Sequence, residues 1–159
     1  MRIGILSDTH DQRERTTRAV ALLMAQGVEA LVHCGDLTRP DIVHECSLLP
    51  CYFVLGNNDY DEPGLRCTIA DTGGFFLGRG GEITLAGKRI AITHGDSARE
   101  ARRLLATVPD YFLFGHTHVP HDGEGTPRSI NPGALHRAAN WTVAVLDLVT
   151  DDLRFLDVR

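Results

Sequence analysis

The chain has no CxxC pair, no apolar run long enough to cross a bilayer, no basic stripe, and no internal repeat or low-complexity segment. Its four cysteines, Cys34, Cys46, Cys51 and Cys67, lack the spacing of a structural zinc site or a disulfide framework, so they are expected to act as small buried hydrophobes. The N-terminus, Met1-Arg2-Ile3-Gly4-Ile5-Leu6, meets Ser7 and Asp8 too soon for a signal-peptide core. A soluble, cytoplasmic protein without a membrane partner is expected. The net charge is −5 with a pI near 5.9, and the densest basic segment, Arg99 to Arg103, is interrupted by Glu100. Electrostatic capture of nucleic acid is therefore disfavoured. At 159 residues the chain is read as one domain, 1–159, able to bury about two-thirds of its unfolded surface.

Five short apolar runs each end in polar residues suited to metal binding. They are Ile3 to Leu6 before Asp8-Thr9-His10, Ala30 to Cys34 before Gly35-Asp36, Tyr52 to Leu55 before Gly56-Asn57-Asn58-Asp59, Ile90 to Thr93 before His94-Gly95, and Tyr111 to Phe114 before Gly115-His116-Thr117-His118. Runs of this length read as buried strands, which places the polar clusters at one C-terminal edge of a sheet, where open α/β sheets bind ligands. Between the first three runs lie helical patterns. One is expected to be capped by Asp11 with Glu14 at N3, and another is started by Pro40, so the first half is expected to be α/β and parallel. Tyr60 to Gly81, rich in charged and turn residues, is expected to be a surface loop or lid. A hairpin turning at Ala86-Gly87 opens a second sheet, a helix runs from about Ser97 to Ala106, and further strands cover Ser129 to Asn131, Thr142 to Leu148 and Leu153 to Val158, with Trp141 opening a core strand.

Carboxylates, a carboxamide oxygen and imidazoles suit hard-to-borderline divalent metals, and there are more of them than one ion needs. Taken alone, Asp8 and Asp36 also read as helix caps, and Asn57 as a turn residue. His94, His116 and His118 tip the balance toward a metal site, since unpartnered buried imidazoles are costly and these three reach the same edge. Of the other histidines, His33 and His44 read as structural, and His121 as a candidate for substrate contact.

DTH at Asp8, GD at Gly35, GNND at Gly56, THG at Thr93, GHTH at Gly115 and NPG at Asn131 together resemble the calcineurin-like metallophosphoesterases, specifically their small single-domain phosphodiesterase branch. The resemblance implies a four-layer β-sandwich flanked by helices. It also implies that Asp8, His10 and His118 hold one ion, that Asn57, His94 and His116 hold a second, and that Asp36 bridges them. Mn is the first choice of metal from the resemblance, with Fe, Zn, Co or Ni also compatible with such ligands. Two ions about 3.5–4 Å apart would lower the pKa of a shared water and supply hydroxide near neutral pH. The departure from larger relatives is Asn58, where many carry a His that acts as a proton donor; a carboxamide cannot donate in that way. Asn58 is expected to bond to the phosphate, and Asp59 to orient the loop or a metal-bound His. Hydrolysis of small phosphodiesters with good leaving groups follows. A phosphomonoesterase, or a non-catalytic scaffold on the same fold, is the alternative, and self-association to a homo-oligomer stays open.

Overall fold

The computed structural model describes Met1 to Arg159. The first half runs β1 (Arg2–Leu6), α1 (Arg13–Ala25), β2 (Ala30–His33), α2 (Pro40–Cys46), β3 (Cys51–Phe53), α3 (Glu62–Asp71) and β4 (Phe75–Phe76). The second half runs β5 (Gly80–Leu85), β6 (Lys88–Thr93), α4 (Ala98–Leu105), β7 (Tyr111–Leu113), β8 (His121–Gly123), β9 (Arg128–Asn131), β10 (Thr142–Asp147) and β11 (Leu153–Asp157). The strands form two mixed sheets, ordered β11-β10-β1-β2-β3-β4 and β5-β6-β7-β9-β8. In the first sheet β1 to β4 pair in parallel and β10 joins β1 antiparallel. In the second, β6, β7 and β9 are parallel, with β5 and β8 antiparallel at the edges.

Side-chain alternation explains why these strands read as unbroken apolar runs. Ile3, Ile5, Ala30 and Val32 share one core cluster with Ile90, Ile92, Leu113 and Ile130 of the other sheet, whereas Leu6 and Leu31 join Ala19, Val20 and Leu23 of α1 on the opposite face. Both faces of β1 and β2 are thus buried, which leaves no polar position to alternate. Each fully buried Leu or Ile contributes about 1.5–3 kcal/mol relative to exposure. On the outer face of the second sheet, Leu104 of α4 covers Ala91 and Phe112.

Several local expectations fail. Asp11 does not cap α1: the cap position is Gln12, with no side-chain bond to the helix, and the Asp11 carboxylate instead accepts from Gln12 Nε2 at 2.9 Å. The polar loop that delivers His10 runs one residue further than the capping pattern assumed. The Tyr60 to Gly81 segment is not a loop. It holds α3, whose N-terminus is capped by Asp61 accepting from Gly64 N at 3.1 Å and whose Leu65 and Ile69 enter the core. Cys67 lies exposed on α3, unlike the other three cysteines. Trp141 stands before β10 with only an isolated bridge to Ala134; its ring packs under the Arg15 guanidinium, 3.3 Å from the centroid, rather than entering the core. No helix is long and apolar enough to cross a membrane.

Candidate metal centre

The candidate ligands leave the C-terminal ends of β1, β2 and β3 in one sheet and of β6 and β7 in the other, so the site joins two sheet edges rather than the single one expected. The two-residue spacings of Asp8 and His10 and of His116 and His118, which strand alternation would put on one side of the chain, do not act through strand geometry either. Asp8, His10, Asp36, His116 and His118 have φ of 52°, 46°, 58°, 67° and 59°, all left-handed, so tight loops rather than pleated strands aim these side chains. Gly35, at φ 95°, supplies the turn before Asp36. Gly115 is required by proximity, since a Cβ there would fall 1.9 Å from Ser7 Oγ and 2.7 Å from Asp8 Oδ2.

Each carboxylate at the centre is held by the protein. Asp8 Oδ2 accepts from Ser7 Oγ at 2.6 Å and from His116 N at 3.0 Å, which leaves its Oδ1 without a partner. Asp36 accepts from Asn58 N at 2.9 Å and from Asn58 Nδ2 at 2.7 Å. Asn58 therefore orients Asp36, a role the sequence did not suggest. Asp59 is buried, and its carboxylate accepts three backbone N–H groups: Asp36 at 2.9 Å, Gly56 at 2.8 Å and Thr38 at 2.6 Å. It ties the β2 and β3 loops together; none of its bonds goes to a histidine. Burial raises its pKa against the pull of those N–H groups.

The imidazoles show what the site requires. His94 Nδ1 lies 2.8 Å from the Cys34 carbonyl oxygen, to which it must donate, so in the neutral ring Nε2 carries the lone pair. That Nε2 is buried without a hydrogen-bond partner, 3.4 Å from Asp36 Oδ2 and 3.9 Å from Asp8 Oδ1. His10 Nε2, also unpartnered, is 3.6 Å from Asp36 Oδ2, and His118 Nε2 is 3.1 Å from Asp8 Oδ1. Lone pairs facing one another at such distances call for a positive charge between them. Burial disfavours a charged His94, yet the facing carboxylates of Asp36 and Asp8 raise its pKa to about 9. Asp36 moves the other way: burial resists its ionisation, but His94 and Asn58 outweigh that and hold it well below the usual carboxylate range. Two groups have the spacing to hold a cation, Asp8-His10-His118 and Asp8-Asp36-His94. His116 lies outside both groups; it and Asn57 are exposed, and the His116 ring comes within 5.1 Å of the His94 ring, centroid to centroid.

The model for the calcineurin-like phosphoesterase superfamily domain matches residues 1–151. The chain belongs to that superfamily. Among its calcineurin-like relatives, a probable metallophosphoesterase of Methanothermobacter thermautotrophicus is 31% identical over 92% of this chain and 85% of its own. A phosphodiesterase of Methanocaldococcus jannaschii is 27% identical over 74% of each chain. A solved structure described as a novel archaeal phosphodiesterase superposes with a TM-score of 0.89 at 25% identity, covering 99% of both chains. The superfamily's α/β fold, with mixed sheets and two cation-suited clusters, supports metal-dependent phosphoesterase activity in general terms.

Two histidines outside the predicted ligand set bear on the same region. His136, in the loop between β9 and β10, places its ring 4.4 Å from the His10 ring, and Arg137 O lies 3.4 Å from His118 Nδ1. Nothing in the spacing of the β9–β10 loop announces this approach. His33 is buried, accepts from Gly35 N at its Nδ1 (3.2 Å) and faces Thr9 Oγ1 at 3.0 Å from Nε2, so it joins the loops after β1 and β2. His121 lies in β8, Nε2 3.2 Å from Ser129 Oγ, a contact along the sheet edge. Asn131 Nδ2 bonds to Gly115 O at 2.8 Å and to Thr117 Oγ1 at 3.1 Å, so the NPG loop supports the GHTH turn.

Proposed function

We propose that the chain hydrolyses small phosphodiesters with two divalent ions, Mn by preference. One ion would be held by Asp8, His10 and His118, the other by Asn57, His94 and His116, with Asp36 between them. The observation that carries the reading is the convergence of three unpartnered buried atoms, Asp8 Oδ1, His10 Nε2 and His94 Nε2, on two overlapping groups of ligands. A four-layer arrangement, with two sheets face to face and helices outside, is supported by the core that the sheets share. Bound there, divalent ions would supply Lewis-acid polarisation of phosphoryl oxygens and a water of lowered pKa as nucleophile.

The chain's own residues then set selectivity. Asn58 directs its backbone N–H and one side-chain N–H at Asp36, so it steadies that carboxylate, and its carboxamide has no acidic proton for a departing alkoxide. Leaving groups that depart as stable anions are favoured, as in aryl diesters. Asp59, by fastening Asp36, Thr38 and Gly56, keeps the β2 and β3 loops in register with each other. A purely scaffolding role would not require buried ligand atoms left without partners.

The test uses the full chain loaded with Mn. Hydrolysis of bis(p-nitrophenyl) phosphate should exceed that of p-nitrophenyl phosphate, elemental analysis should give two ions per chain, and chelation should abolish turnover. The opposite substrate preference refutes the diester reading. His116→Ala should end hydrolysis while the far-ultraviolet circular dichroism stays native; retained turnover would place the chemistry elsewhere.

A further inference from the structure

We infer that Tyr60 is a specificity-determining platform on which a planar aromatic group of the phosphodiester stacks, an inference that rests on the phosphodiesterase reading above. Tyr60 is the most exposed of the chain's large hydrophobic side chains, at 85%. A solitary exposed tyrosine is ordinary; its place, two residues after Asn58 and beside the candidate ligands, is what sets this one apart. The Tyr60 hydroxyl donates to Asn58 Oδ1 at 3.3 Å, and the same carboxamide donates from Nδ2 to Asp36 Oδ2 at 2.7 Å. The phenol ring is thus two hydrogen bonds from a carboxylate that, with Asp8 and His94, makes up one of the two cation-suited groups.

The backbone beneath the ring is fixed on both sides. Tyr60 N donates to Asn58 O at 3.1 Å and Asp59 N to Gly56 O at 3.3 Å, the Asp59 carboxylate anchors the loop from below, and Asp61 immediately afterwards caps α3. On the far side of the loop, Arg79 reaches Gly56 O with its guanidinium at 2.5 Å. An aromatic side chain on a fixed backbone has only two torsions to order, so it loses little entropy when a ligand stacks on it. The chemistry of the centre selects the same kind of molecule. With Asn58 unable to protonate a leaving group, turnover favours groups that leave as stabilised anions, and aryl groups both do this and present a π-face.

The experiment measures binding without turnover. Phenylphosphonate and methylphosphonate, whose C–P bonds are not cleaved by ester hydrolysis, are titrated calorimetrically into the Mn-loaded full chain, wild type and Tyr60 variants. The wild type should bind the phenyl probe about five- to 150-fold more tightly than the methyl probe, the range expected for one stacked ring. Tyr60→Ala should remove that preference by weakening the phenyl probe alone, and Tyr60→Phe should keep most of it. A preference that survives Tyr60→Ala, or an equal weakening of both phosphonates, overturns the platform. Diester hydrolysis with no phenyl preference overturns it while leaving the phosphodiesterase reading intact. A chain that binds neither phosphonate and hydrolyses no phosphoester overturns both.

Discussion

Replacing His33 should make the fold less sensitive to acid. His33 lies at the end of β2, fully buried; Gly35 N donates to its Nδ1, so the neutral ring carries its proton on Nε2 and donates to Thr9 Oγ1. Burial, reinforced by the nearby His94, pushes its pKa down to about 3, against about 6.5 in an unfolded chain. The folded value is depressed, so the unfolded state binds the extra proton. The contribution of His33 is present above about pH 6.5 and is lost as the pH falls toward 3, at about 1.4 kcal/mol per pH unit. Between pH 7.0 and 4.5 the wild type should lose about 2–3 kcal/mol from this group alone. His33→Gln keeps a hydrogen-bonding side chain but cannot take up that proton. Urea unfolding of both proteins, metal-stripped, at the two pH values isolates the term as a difference, because every other titrating group is common to both. Equal pH dependence in the two proteins would refute the argument.

Asp59→Ala leaves two buried and one partly buried backbone N–H groups without an acceptor, and at about 1–3 kcal/mol for each such loss, shared among neighbours, it should cost about 3–5 kcal/mol. Thermal unfolding should show a fall of about 6–20 °C, and a change of only a degree or two would mean that the loops hold without it. Leu65→Ala tests whether α3 belongs to the core: with Leu65 buried in the main cluster, the expected loss is about 2–5 kcal/mol by denaturant unfolding. A loss below about 0.5 kcal/mol would instead fit a segment lying loosely on the surface.

What could be read from the sequence depended on the range of the interaction. Strands such as β1 and β2 were visible because both faces are buried and the apolar run is continuous. The hairpin at Ala86-Gly87 and the helix starting near Ser97 were visible because a turn and a helix start are settled within a few residues. Helix α3 was hidden because only Leu65 and Ile69 face inward, and Gly64 and Pro63 look like loop residues until the Asp61 cap is taken into account. At the site, the residue types were legible as cation ligands, but their aim was not. The spacing of two suggested strand alternation, whereas left-handed backbone angles direct Asp8, His10, His116 and His118. His136 beside His10, and Asn58 on Asp36, are contacts across the chain that no local pattern encodes.

Those left-handed angles have a consequence for how the chain can change. Five of the candidate ligand positions, all non-glycine, sit where an L-residue is disfavoured, at a cost on the order of 1 kcal/mol each. Glycine at His10, His116 or His118 would relieve that strain and delete a ligand in the same step, whereas at Asp8 or Asp36 it would also strand the donors those carboxylates accept. Random substitution therefore has an easy downhill route toward a sturdier, inert fold, and only selection for turnover opposes it. In a library sorted for thermal stability alone, the ligand positions should be among the first to drift.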